Sequence, residues 1–329
     1  VPADGEQRWT AAFKLDHQDK VSEAFALLRG AGLDQWGQYL KVYRMIEAEA
    51  ITRGRARIEE ASPWLTLEYI PYEVGDAAAA MRRMIGEACD TVARRLGVVH
   101  QHPARIAVMA EECDVPWATN PYGYCADKEP YAKVCVPVRL LDDPPEFMQT
   151  IAHEYAHVVS LSLSQGRAPR WLEEAVSVLA ERSFDQGCWE DFVEDRVDWL
   201  PPGALELEFG FVRYPDQADS GWNDPMLLPE GPPVTPSDDA GAMYLAYQQA
   251  GFIGRYLLGL ADESRVGRLL REIGSQSLWR GLSVALRFRS RTDDALRRVY
   301  GLGEQELFDR TLDWLRRTPW EQIARTGAA

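Results

Sequence analysis

The sequence has no apolar run near the about 18 residues needed to span a bilayer, which argues against membrane insertion. It also has no run of lysine or arginine. With a formal net charge of −15 there is no cationic stripe to neutralise phosphates, so neither a nucleic acid nor an anionic membrane surface is expected as a partner. Cysteine is sparse and odd in number: five residues leave at least one thiol unpaired and exclude a full disulfide framework. Cys125 and Cys135 flank a turn and can be bridged, with Cys113 a competing partner for either. The text begins at Val1 without a charged n-region or an apolar h-region. A secreted or periplasmic home is favoured over a cytoplasmic one.

What is present is a chain of 329 residues, 46% of them hydrophobic, enough to bury one large core or two modest ones. Apolar periodicity predicts helices over 6–28 and 36–61, separated at Gly30 and Gly32, which together read as a helical hairpin. An alternating strand follows at 64–70, then a helix over 76–96 and a strand at 105–109, the start of a β-α-β pattern. Turn formers dominate 114–128. Val134, Val136, Val138 and Leu140 alternate through a further strand, expected at a sheet edge. A helix runs from Pro144 or Pro145 to Leu163, and a second from Pro169 to about Ser183. Eight prolines lie between Asp185 and Asp239, so long irregular loops are expected there. Helical text resumes over 240–258, 262–273, 278–288, 293–300 and 304–317. The resulting α+β organisation divides at 1–62, 63–185, 186–239 and 240–329.

The chemistry is carried by His153-Glu154-Tyr155-Ala156-His157, an H-E-x-x-H sequence inside a predicted helix. Residues four apart on a helix sit about 40° apart around the axis and one turn apart along it, so both imidazoles can meet one metal ion. Glu154 lies about 100° further round, where it can reach a water at that metal. Histidine occurs only five times in the chain, which makes a chance match improbable. Phe147, Met148, Ile151, Ala152, Tyr155, Val158, Val159 and Leu161 cover most of the helix with apolar groups. A narrow polar stripe remains through Gln149, His153, His157, Ser160 and Ser164, and a metal supplies partners for its two histidines. A catalytic zinc takes three protein ligands and keeps a position open. His100 and His102 sit beside Pro103 and read as an exposed turn. The next helix brings Glu173 and Glu174 on its first turns; they point about 100° apart, so only one can ligate, and helix geometry alone does not choose between them.

H-E-Y-A-H, with sixteen residues between His157 and Glu174 in W-L-E-E-A, resembles the gluzincin zinc metallopeptidases, in particular the peptidase MA-like group with its H-E-x-x-H and W-L-x-E-G pattern. The resemblance extends over about residues 62–318 and implies a zincin-like catalytic unit, a small mixed sheet plus the active-site helix, between an N-terminal helical hairpin and a mostly helical C-terminal part. It makes Glu174 the third ligand of a single catalytic Zn²⁺ and leaves Glu173 on the variable position. It implies hydrolysis of a peptide or protein substrate, with Glu154 as general base and Tyr247 as the oxyanion donor, Tyr244 being its substitute. An extended peptide would add to the strand at 132–140, and Tyr122, Tyr124 and the loop after Asp185 would wall the cleft. Two positions depart from the pattern: Ala175 replaces the usual glycine, and Val178 stands where a polar residue often orients a histidine, a role left to Ser177 or Glu181. An inactive or latent relative that keeps the metal and binds a protein partner is the alternative, with zinc hydrolysis of a non-peptide amide as a third reading.

Overall fold

A computed structural model describes residues 3–29, 37–98, 102–110, 123–127, 131–209, 240–275 and 290–325. The fold is α+β, and among the described residues no helix is long and apolar enough to cross a membrane. The chain forms two compact units, residues 1–91 with 100–158, and residues 92–99 with 159–329.

The first unit opens with helices α1 (Ala3–His17), α2 (Val21–Leu28) and α3 (Gly37–Arg53). The expected first helix is thus two, broken at Asp19, whose φ of 55° lies in the left-handed region. Helix α3 ends at Arg53, and the text expected to continue it to Ala61 instead forms strand β1 (Arg57–Ser62). Gly54 relaxes the helix end, and Arg57 to Ser62 pair antiparallel with β2 (Leu65–Tyr69). A short helix α4 (Pro71–Val74) leads to α5 (Ala78–Arg95), which begins in this unit and connects to β3 (Ala104–Met109). Strands β4 (Tyr124–Asp127) and β5 (Ala132–Pro137) complete one sheet in the order β1-β2-β3-β5-β4.

Strands β2, β3 and β5 are mutually parallel, and β4 runs antiparallel to β5. The strand expected at the sheet edge is therefore internal. It carries β4 along its flank, ends at Pro137, and gives way to a 3-10 turn over Val138–Asp142. Both faces of β3 and β5 are covered, as near-continuous apolar runs require in parallel strands. Ala107, Met109 and Cys135 pack with Ala48 and Ile51 of α3. Helix α6 (Pro144–Ser164) buries Phe147, Ile151 and Tyr155, and Tyr155 lies 6.0 Å from Trp64, ring to ring. The expected Cys125–Cys135 bridge is not formed, both thiols being free. Cys135 stands opposite Tyr124, so Cys125, one residue along, projects to the other side of the sheet. Cys113 lies outside the described residues.

A buried ionic cluster ties the N-terminal helices to this sheet. Lys133 is fully buried and places Nζ 2.7 Å from Glu49 of α3, 3.5 Å from Asp19 and 3.7 Å from Glu68. Arg53 grips Glu68 with Nε and Nη2, at 2.7 and 2.8 Å, and reaches Asp19 at 2.7 Å. Arg105 and the Tyr131 hydroxyl also donate to Asp19. Arg105 and Lys133 are direct cross-strand neighbours, a like-charge pairing that is destabilising in isolation. Asp19 bridges them. Burial pushes the Asp19 carboxyl up, but Lys133, Tyr131 and Arg53 outweigh it and hold the group below its usual range.

The second unit is helical. It contains α7 (Arg170–Glu181), α8 (Gln186–Val193), α9 (Pro202–Glu208), α10 (Ala240–Leu260), α11 (Glu263–Gly274), α12 (Arg291–Val299), α13 (Glu304–Arg317) and α14 (Trp320–Arg325). The stretch expected to be loop after Asp185 thus holds two helices. Asp185 caps α8 by accepting from the Gly187 and Cys188 amides, and Pro202 opens α9. The helix expected over 278–288 lies outside the described residues.

Candidate metal centre

The H-E-x-x-H residues sit on α6, and the chain turns just beyond them. Gln165 and Gly166 adopt successive left-handed conformations, φ 55° and 65°, and the Gly166 amide bonds back to the Leu161 carbonyl at 2.9 Å, closing the helix end. Arg167 fastens this turn by donating to the Gly274 carbonyl at 2.6 Å. Pro169 then starts α7.

Helix α7 is held at its first turn on several sides. Trp171 is buried with its amide on Glu206 at 3.2 Å and its indole N–H on Glu304 at 3.1 Å, and its ring meets Phe308 edge-on. Its length packs against α10, where two glycines permit close approach. A Cβ on Gly251 would lie 2.5 Å from Val178 Cγ1, and one on Gly254 would lie 2.9 Å from the Ala175 carbonyl oxygen. Ala175 and Val178, the two positions expected from the sequence to be a glycine and a polar residue, are therefore the ones seated on this glycine seam.

Among the described residues His153, His157 and Glu174 form one group able to hold a metal ion: all three are buried, and one ligand atom from each lies within 4.8 Å of the others. The imidazole centroids are 5.1 Å apart and the rings are inclined by 68°. Ligands of one tetrahedral zinc, bonded at about 2.0–2.2 Å, lie about 3.4 Å from each other, a spread that modest side-chain rotation covers. Two imidazoles and a carboxylate make a chemically suitable donor set for zinc. Glu173 is paired with Arg170 at 3.0 Å, and Glu174 accompanies the histidines. Glu154 is buried on α6 between them in sequence.

The tyrosines are placed differently. Helices α7 and α10 run antiparallel, since Gly251 meets Val178 and Gly254 meets Ala175. Continuing that register sets Tyr247 level with Arg182, at the end of α7, about 12 Å along the axis from Glu174, and its ring packs against Phe209 at 5.3 Å. The Tyr244 hydroxyl donates to Asp185 at 3.1 Å. The register brings neither tyrosine to the turn that carries Glu174. Of the remaining histidines considered, His102 is half-buried and His100 lies outside the described residues. In comparisons with known proteins, no family model, no curated protein and no solved structure matches the chain.

Proposed function

We propose that this chain is a zinc-dependent hydrolase of peptide bonds, with His153, His157 and Glu174 as metal ligands and Glu154 as general base. The observation that carries the reading is the convergence of three buried ligand groups on an H-E-x-x-H helix and the helix that follows it. Bound zinc would polarise a substrate carbonyl and acidify water. Glu154 follows His153 at about 100° around α6, so its carboxylate points away from the direction of the two histidines and can take a proton from the attacking water, then pass it to the leaving nitrogen. Glu173, engaged with Arg170, is not assigned a role in the reaction. The oxyanion donor is not assigned to Tyr247, given its place along α10. An extended substrate segment would add to β4, the last strand in the sheet order, rather than to β5.

Metal analysis of the purified chain and of Glu174→Ala and Glu173→Ala, with cleavage of a diverse peptide library by wild type and Glu154→Ala, tests this. One zinc per chain, lost in Glu174→Ala and kept in Glu173→Ala, is expected, with cleavage lowered at least 100-fold in Glu154→Ala. Zinc without cleavage of any peptide would favour a latent, partner-binding protein. Absence of metal binding would refute the ligand assignment itself.

A further inference from the structure

Helix α7 carries Glu174, yet the residue that opens it cannot cap it. Pro169 stands at the N-cap without a side-chain acceptor, so the first amide protons of α7 need partners from elsewhere. The Trp171 amide finds one in Glu206 of α9, at 3.2 Å, and a carboxylate there also faces the positive end of the helix dipole. The buried indole N–H of the same residue donates to Glu304, at the start of α13, at 3.1 Å. One residue is thus gripped through its backbone and through its side chain by carboxylates from two different helices.

Both carboxylates are themselves held. Glu304 accepts from the Ser290 hydroxyl at 2.7 Å and its amide donates to Asp293 at 2.8 Å, which ties it to the start of α12. Glu206 follows the fully buried Leu205, and the chain just ahead of α9 is strapped to α10: the Leu200 amide donates to the Gln249 side chain at 3.0 Å, and that side chain donates back to the Leu200 carbonyl at 2.7 Å. The seam with α10 sets how near α7 lies, but Gly251 and Gly254 supply no side chain to key its rotation. The two bonds at Trp171 supply that key. Trp171 and Glu174 are three residues apart, about one turn along α7 and about 60° around it, so whatever turns one turns the other. At about 5–6 Å from the axis, a carboxylate moves about 1 Å for a helix rotation of about 10°, whereas a productive site must be held within about 0.5 Å.

We propose that Glu206 and Glu304 are positioning residues for the metal centre: through Trp171 they lock α7 along and around its axis, and so hold the Glu174 carboxylate where His153 and His157 require it. This rests on the ligand assignment above. It gives α9, α12 and α13 a task in metal binding, although the proposed ligands lie on α6 and α7.

The test measures zinc affinity of the full chain by competition with a chromogenic chelator, at a temperature where circular dichroism shows each variant folded. Glu206→Ala and Glu304→Ala are each expected to weaken zinc binding about tenfold. Glu304→Gln keeps an acceptor oxygen for the indole and should stay within about threefold of wild type. Trp171→Phe keeps the ring against Phe308 and loses the indole N–H. It should match Glu304→Ala, and the double variant should bind no more weakly than either alone. Rescue by glutamine and this non-additivity in metal affinity are effects that a merely structural contact would not produce. Zinc affinity unchanged in both alanine variants, Glu304→Gln as weak as Glu304→Ala, or losses that add in the double variant would overturn the proposal. If an alanine variant does not fold, unchanged affinity in Trp171→Phe overturns it instead. A wild-type chain that takes up no zinc refutes the ligand assignment itself and the proposal with it, so the two failures read differently.

Discussion

The two compact units bury charge in opposite ways. In the first, three carboxylates (Asp19, Glu49, Glu68) meet three cations (Arg53, Arg105, Lys133), and every one of the six has an opposite charge within 3.9 Å. In the second, Arg255 is buried with a carbonyl and an aromatic ring as its contacts. Balanced burial makes each member depend on the others, because deleting one leaves a partner uncompensated in a region water does not reach. Unbalanced burial makes the lone charge a liability that its removal can relieve. The first arrangement therefore stabilises the protein only as a set, whereas the second leaves one nitrogen of a buried charge without an acceptor among the described residues.

Lys133→Met should break the contrast most severely. It strips Glu49, Glu68 and Asp19 of a shared cation, and a loss of about 3–5 kcal/mol in urea unfolding is expected for the first unit. Asp19→Asn comes next, at about 2–3 kcal/mol, since Arg53, Arg105 and Lys133 all lose a counter-charge. The same carboxylate gives a signature in acid. Its folded pKa is depressed, so its contribution is fully present above the unfolded value of about 3.9 and is lost as pH falls through the lower folded value. Stability measured from pH 6 downward should fall more gently in Asp19→Asn than in wild type over that lowest range; parallel curves would show that Asp19 is not linked to folding. Arg255→Met should have the smallest effect, within about 1 kcal/mol of wild type in chloride buffer, because the lost Ile323 bond and ring contact are offset by relief of desolvation. A cost as large as that of Lys133→Met would mean that a partner already balances Arg255.

The H-E-x-x-H helix was readable because its signals are local: a four-residue spacing, an apolar periodicity and a proline start all lie within α6. The choice between the two glutamates was legible only through the resemblance, which favours Glu174: the pair is equivalent in helix text, and in the structure Glu174 groups with the histidines while Glu173 pairs with Arg170. Strand β1 read as helix because Arg, Glu and Ala favour helices, and pairing with β2 overrode that preference. Strand β4 is four residues long amid turn formers, too short for alternation to show. The ionic cluster had no sequence signature at all. Its members come from positions 19, 49, 53, 68, 105 and 133, which the register of three parallel strands and the packing of α3 bring together. The helices after Asp185 were hidden by proline-rich composition, although Asp185 and Pro202 are themselves helix-starting residues.

The glycine seam between α7 and α10 gives the metal assay a second use. Gly254 touches none of the three ligands by side chain, having none, yet an added methyl there would press on the Ala175 carbonyl, one residue past Glu174. In Gly254→Ala the backbone that carries the carboxylate must give way, and metal affinity becomes a strain gauge for helix packing. If α7 slides, Glu174 moves with it and the proposed ion should loosen before the fold does; if α7 is held rigidly by Trp171 and α10 gives way instead, thermal stability should fall while metal binding is kept.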